Sequence, residues 1–326
     1  MSLIHPQARF KPYEDAAGGW GSARSVMAIF WREQVMASGS LALVKQNKPK
    51  GFACVSCAWA KPADPHALEF CENGAKATAW EITRHRTGPE FFASHTLAQL
   101  RTWNDHDLER QGRLTHPLHY DPVTDRYKVT TWEQAYREIG QQLRGLTPDQ
   151  VVFYASGRAS LEASFMYQLF ARAYGTNNLP DSSNMCHEST SVGLQESIGV
   201  PVGTVTLTDF EHTDCIFFFG QNVGSNSPRM LHPLQEARKR HVPIITFNPL
   251  RERGLERFVN PQSPSEMLGP QSTVIRTQYH QVTIGGDLAA VAGVIKALLA
   301  LEQAAPQQGV PGGLDHPIID AHTGGC

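Results

Sequence analysis

"CIFFFGQNVGSNSP" (Cys215–Pro228) is a short apolar run that ends on a glycine and opens into small polar residues. Ile216 to Phe219 are too few for a helix, and an unbroken apolar run of this length reads as a buried strand. The loop Gly220-x-Asn222 follows directly. Ligands of parallel sheets bind beyond the carboxyl ends of the strands, where such a loop would lie. Gly220 permits close backbone approach, and Asn222 offers both a donor and an acceptor. An ordinary strand-to-helix turn has the same composition. Cys215, inside the apolar run, reads as a core residue.

The neighbouring stretches supply the context. "TTWEQAYREIGQQL" has Thr131 as an N-cap, Gln134 at the capping-box position and helical spacing after them. "VVFYASG" (Val151–Gly157) reads as a buried strand, and "LEASFMYQLFARAYG" as a helix closing on Gly175. After the Cys215–Gly220 strand, "RMLHPLQEARKRH" is helical despite Pro233, and "VPIITFNP" (Val242–Pro249) is another strand. "DLAAVAGVIKALLALEQ" (Asp287–Gln303) is an amphipathic helix with Asp287 as its N-cap. Strand alternating with helix is the rhythm of a parallel α/β sheet. Residues 1–50 read as irregular, with one helical patch around Ser25–Gln46. The stretch "QAAPQQGVPGG" (Gln303–Gly313) is a surface loop by composition.

The totals exclude some classes of function. The chain has 326 residues, of which 41% are hydrophobic and 18% charged, so it can bury a core. Its 29 basic and 31 acidic side chains leave a net charge of −2, which gives no bulk attraction to nucleic acid or an anionic membrane. The first twenty residues carry Lys, Glu and Asp and no twin arginine, and no apolar run reaches the length of a membrane span. The expectation is a cytoplasmic protein with no membrane insertion and no nucleic-acid partner. In that compartment clustered cysteines are more often metal ligands than disulfides.

Three of the six cysteines fall within "CVSCAWAKPADPHALEFC" (Cys54–Cys71). Cys54 and Cys57 have the C-x2-C spacing that points two sulfurs at one metal, and Cys71 follows. With His66 they make a tetrahedral Cys3His zinc set. An iron–sulfur cluster uses the same thiolates, and spacing alone does not separate the two. A fourth cysteine, Cys186, stands in "GTNNLPDSSNMCHESTSVGL" (Gly175–Leu194), just before a helix expected to begin near Ser189. The positive end of a helix dipole favours thiolate there, the form that binds metal. His187 beside it can move protons. A lone Cys–His pair is more often structural. Cys326, the last residue, reads as solvent-exposed.

"FCENGAKATAW" (Phe70–Trp80) resembles the last cluster cysteine of the molybdopterin oxidoreductases, which sits in a Cys-x-x-Gly turn. "CHESTSVGL" is similar to the formate-dehydrogenase-like branch of that family. The resemblance runs from about Lys48 to His322. It implies an N-terminal [4Fe–4S] domain followed by a parallel-sheet, Rossmann-like cofactor domain. The divisions would be an extension (1–50), a cluster domain (51–118) and a partial pterin-binding α/β domain (119–326). Cys54, Cys57 and Cys71 would hold the cluster; the family's additional cysteine falls in "AWAKP" and has no counterpart, which leaves His66 or an oxygen ligand for the remaining iron. Asn73 stands where many members have Lys, with Lys76 as a nearby substitute. Cys186 would bind molybdenum or tungsten, and His187 would act as acid/base. Gly220, Asn222, Asn248 (in place of an Asp) and Asp287 would contact the bis-pterin guanine dinucleotide, with Gly285 in a matching turn. The resemblance implies a small-molecule substrate, formate or similar, and an electron-acceptor protein. Members are commonly over twice as long, so the chain reads as truncated, and the family's substrate-contacting arginine has no counterpart. The reading from another class is a non-catalytic fragment with Cys54, Cys57, His66 and Cys71 holding zinc for folding.

Overall fold

Thr131 and Ser160 start their helices as side-chain caps, whereas other helices begin without one. In the computed structural model, which describes residues 13–57, 59–180, 186–306 and 312–323, the chain forms two compact units. One is built on Trp20–Cys186, the other on His187 onward together with Ala16–Gly19. By contact the chain divides between Cys186 and His187, whereas the texture of the sequence changes near residue 119.

In the first unit the expected patch at Ser25–Gln46 is two helices, α1 (Gly19–Arg32) and α2 (Met36–Lys45). Gln34 takes a left-handed φ of 59° between them. The Val35 N–H then donates to the Phe30 carbonyl at 2.9 Å and reverses the chain. Gly39 of α2 lies against the Phe30 ring; a Cβ there would stand 2.7 Å from it. Helix α3 (Glu72–Glu81) presents Gly74, Ala75 and Ala79 inward, and its alanines pack with Ile29, Phe30, Val35 and Leu43. Small residues allow this close approach. A hairpin pairs Leu118–Asp121 with Arg126–Val129. Helix α4 (Trp132–Arg144) starts as expected on Thr131, whose hydroxyl accepts the Gln134 N–H. The Gln134 side chain turns instead to Glu138.

Val151–Gly157, expected as a strand, joins no sheet among the described residues. An asparagine takes the place of a neighbouring strand. The Phe153 N–H donates to the Asn178 carbonyl at 2.9 Å, and Asn178 Nδ2 donates to the Val151 carbonyl at 3.2 Å. Phe153 itself is buried, ringed by Tyr167, Phe170 and Tyr174. The last three of those side chains belong to α5 (Leu161–Tyr174), which opens on Ser160 and ends on Gly175 at φ +104°.

The second unit begins with α6 (Glu188–Ile198). Its sheet has three parallel strands: β1 (Ile216–Phe219), β2 (Ile244–Phe247) and β3 (Gln278–His280), in the order β1-β2-β3. Phe218 faces β2's Thr246 in register, and Thr246 faces Tyr279. Short helix α7 (Val223–Asn226) follows β1, α8 (Leu231–Lys239) leads to β2, and α9 (Arg253–Glu256) follows β2. Phe218, Val223, Leu231, Leu234, Ile244, Leu255, Phe258 and Ile275 form the core beneath the sheet's loops. The mixed α/β class with a small parallel sheet is as expected. Cys215 is not a core residue: it is exposed, one position before the strand begins. Helix α10 (Asp287–Ala304) is present, but Asp287 is its first helical residue and Gly286 occupies the cap position. No residue of α10 is buried. Cys326 lies outside the described residues, as do residues 181–185 of the segment before Cys186 and 307–311 of the expected surface loop.

Candidate cofactor and metal sites

Three loops leave the carboxyl ends of adjacent parallel strands, and each carries a residue singled out from the sequence. After β1, Gly220 adopts φ +65°, a left-handed conformation that favours glycine. Its N–H donates to the Phe247 carbonyl at 2.9 Å. A Cβ on Gly220 would meet nothing within 4 Å, so its outer face is open. Asn222 begins α7 and is half-buried. After β2, Asn248 is 1% exposed. Its Nδ2 donates to Asn222 Oδ1 at 3.0 Å and to the Gln221 carbonyl at 3.3 Å, while its Oδ1 accepts the Leu250 N–H at 2.9 Å. The Asn248 amide is thus spent inside the protein, tying the second loop to the first. After β3, Gln281 Nε2 donates to the Pro249 carbonyl at 2.8 Å and ties the third loop to the second. That loop turns on Gly285 at φ +81° and delivers half-buried Asp287.

Glu252 fixes the same loops from below and was not singled out from the sequence. Its carboxylate accepts the Leu255 N–H at 3.0 Å as the cap of α9. Gly224 of α7 and Gly254 of α9 cross there: a Cβ on Gly224 would stand 3.1 Å from the Gly254 Cα. Burial pushes the Glu252 carboxyl above its usual value, against backbone N–H groups of Leu255, Gly254, Gly224 and Ser225 that favour the charge. The Tyr279 hydroxyl accepts the Glu252 N–H at 2.9 Å and donates to the Leu250 carbonyl. The local signal was an acid two residues before a glycine in "RERGLE", a helix-cap pattern.

Cys186 is exposed and stands two residues before α6. His187 is the N-cap residue of α6 without a side-chain cap bond, and its Nδ1 lies 3.5 Å from Ser191 Oγ.

The other thiols are organised by residues at the end of α2. Asn47 is buried at a left-handed φ of 57°. Its Oδ1 accepts the Cys54 N–H at 2.9 Å and its Nδ2 donates to the Glu69 carbonyl at 2.7 Å. One side chain therefore pins both limbs of the Cys54–Cys71 loop. The buried Glu69 carboxylate accepts the His66 N–H at 2.8 Å. Cys54 Sγ accepts the Ser56 N–H, and Cys71 Sγ caps α3 by accepting the Gly74 N–H, both at 3.4 Å. Burial, reinforced by the nearby Cys54 and Cys57 sulfurs, pushes the Cys71 thiol up to about 11. Among the described residues no three His, Cys, Asp or Glu side chains converge on a point where a single metal ion would sit. Lys76 Nζ pairs with Glu72 at 2.6 Å, one turn along α3. Sulfur donors and the backbone N–H groups aimed at two of them fit a sulfur-ligated centre.

The model of the molybdopterin oxidoreductase family matches residues 113–291, more than half of the chain, and the chain belongs to that family. The matched span includes Cys186, His187, Gly220, Asn222, Asn248 and Asp287. Protein YdeP of Escherichia coli is 49% identical over 318 residues, which cover 97% of this chain and 42% of YdeP. An uncharacterized oxidoreductase of Mycobacterium tuberculosis is 46% identical over 286 residues, 87% of this chain and 36% of that protein. The alpha subunit of F420-dependent formate dehydrogenase 1 of Methanococcus maripaludis is 31% identical over 143 residues, 44% of this chain and 21% of that subunit. The chain thus spans less than half the length of these relatives. No described helix is long and apolar enough to cross a membrane.

Proposed function

We propose that the chain carries the metal-ligand and cofactor-loop portion of a molybdopterin-dependent oxidoreductase alpha subunit of the formate-dehydrogenase type. The observation that carries this reading is the single span, residues 113–291, in which the family match takes in both the Cys186–His187 pair and the loops after β1 and β2. Held by Cys186, a pterin–metal centre would supply two-electron redox chemistry toward a substrate such as formate, and an iron–sulfur cluster held by Cys54, Cys57 and Cys71 would supply one-electron transfer toward an acceptor protein.

This chain's residues have separate tasks in that scheme. The exposed Cys186 thiol supplies the metal ligand. In the tautomer whose Nδ1–H donates to the Ser191 oxygen 3.5 Å away, His187 Nε2 carries the lone pair that takes the proton released from substrate. Gly220 leaves open space over its loop, and Asn222 and Asp287 offer polar groups to the guanine dinucleotide. Asn248 holds the loop carrying Asn222. Cys54, Cys57 and Cys71 bind the cluster in an N-terminal iron–sulfur region, with the Lys76–Glu72 pair on the helix that Cys71 caps. Cytoplasmic placement accords with free thiols in this number.

The test is anaerobic, formate-dependent reduction of a viologen dye. Activity in the wild type, lost in Cys186→Ser and lowered about 100-fold or more in kcat by His187→Gln, is the expected outcome. Activity that survives Cys186→Ser removes the thiol from the chemistry.

A further inference from the structure

Gln46 is 0% exposed, yet its Nε2 has no hydrogen-bond partner. Its Oε1 is engaged, accepting from Thr78 Oγ1 at 3.0 Å. An orphaned buried amide donor is destabilising in a folded protein and calls for an explanation. Its position supplies one. A Cβ added to Gly74 would stand 2.5 Å from Gln46 Nε2 and 3.0 Å from Cys54 Sγ, so amide and sulfur crowd the same point above Gly74. Gly74 is also the residue whose N–H donates to Cys71 Sγ.

We infer that Gln46 Nε2 is a hydrogen-bond donor to the sulfur centre held by Cys54, Cys57 and Cys71, unpaired until that centre is bound. The inference rests on the reading of those three cysteines as cluster ligands and adds a residue to it. Two of the thiols already accept backbone N–H groups; the Gln46 amide is the side-chain member of the set. Hydrogen bonds to cluster sulfurs stabilise the more negative, reduced state and raise the reduction potential. They also hold the ligands in place, which matters for a loop with three thiols.

The experiment reconstitutes the chain anaerobically with iron and sulfide, then compares wild type, Gln46→Met and Gln46→Glu. Gln46→Met keeps the length of the side chain without the donor, and the Thr78 hydroxyl can turn to a carbonyl of its own helix. Gln46→Glu keeps the shape and places an acceptor where the donor stood. Midpoint potential is followed by electron paramagnetic resonance, iron loss by a chelator, and melting of the metal-free chains by circular dichroism. Both variants are expected to have lower potentials, with Gln46→Glu shifted further, and to lose iron about tenfold faster. Metal-free Gln46→Met is expected to melt no lower than wild type, because it loses an unsatisfied donor. Equal potentials and iron loss in Gln46→Met and wild type overturn the inference and leave the cluster reading intact. A metal-free Gln46→Met that melts far below wild type assigns Gln46 a structural role instead. A wild type that takes up no iron overturns the cluster reading itself and the inference with it.

Discussion

Asn248 occupies a position where a carboxylate would be wrong. Its Nδ2 faces two oxygens, the Gln221 carbonyl and Asn222 Oδ1, and its burial leaves no water to compensate a mismatch. Asn248→Asp sets an acceptor against the Gln221 carbonyl. The expected cost is about 1–3 kcal/mol in the unfolding free energy of the second unit, read by urea denaturation. Equal stability of Asp and Asn at this position contradicts the assigned geometry. The sequence told which residue follows the strand but not where its amide would turn, because that depends on a loop 26 residues earlier in the chain. Gln46 and Asn47 were silent for the same reason. Two polar residues after a helix are unremarkable until long-range contacts bring Cys54, Glu69 and Gly74 onto them.

At the scale of elements, local signals carried far. Thr131, Ser160 and Gly175 bound helices α4 and α5 where capping chemistry puts them. The apolar runs at Ile216–Phe219 and Ile244–Phe247 are strands. Val151–Gly157 has the same composition and is not, since strand formation needs a partner edge and Asn178 occupies it. The crossing of α7 over α9 was illegible: it requires Gly224 and Gly254, thirty residues apart, to meet over Glu252. That carboxyl's pKa is raised by burial. For a raised acid the stabilising contribution is complete below its ordinary value of 4.5 and is lost as pH climbs through the raised one. Relative to the non-titrating Glu252→Gln variant, the wild type is expected to lose melting temperature as pH rises from 4.5 to 7. A difference that stays constant or grows with pH contradicts this.

For the whole molecule, the two units carry different parts of the proposed chemistry: cluster thiols in one, cofactor loops in the other, with Cys186 the last residue of the first and His187 the first of the second. Large apolar side chains stand exposed on α5 (Phe165, Met166, Leu169) and on α10 (Leu288, Ile295, Leu301), more than isolated surface residues require. That Asp287–Gln303 is helical was readable, but the amphipathic burial expected of it is not seen: no residue of α10 is buried, since a pattern gives a face and not its partner. The family was legible in a few short motifs because they bear chemistry rather than packing. The measurement that tests the central claim most directly is the metal content of anaerobically purified protein, by mass spectrometry. The account predicts molybdenum or tungsten together with iron, and loss of the molybdenum or tungsten in Cys186→Ser. Zinc with no iron, molybdenum or tungsten contradicts it.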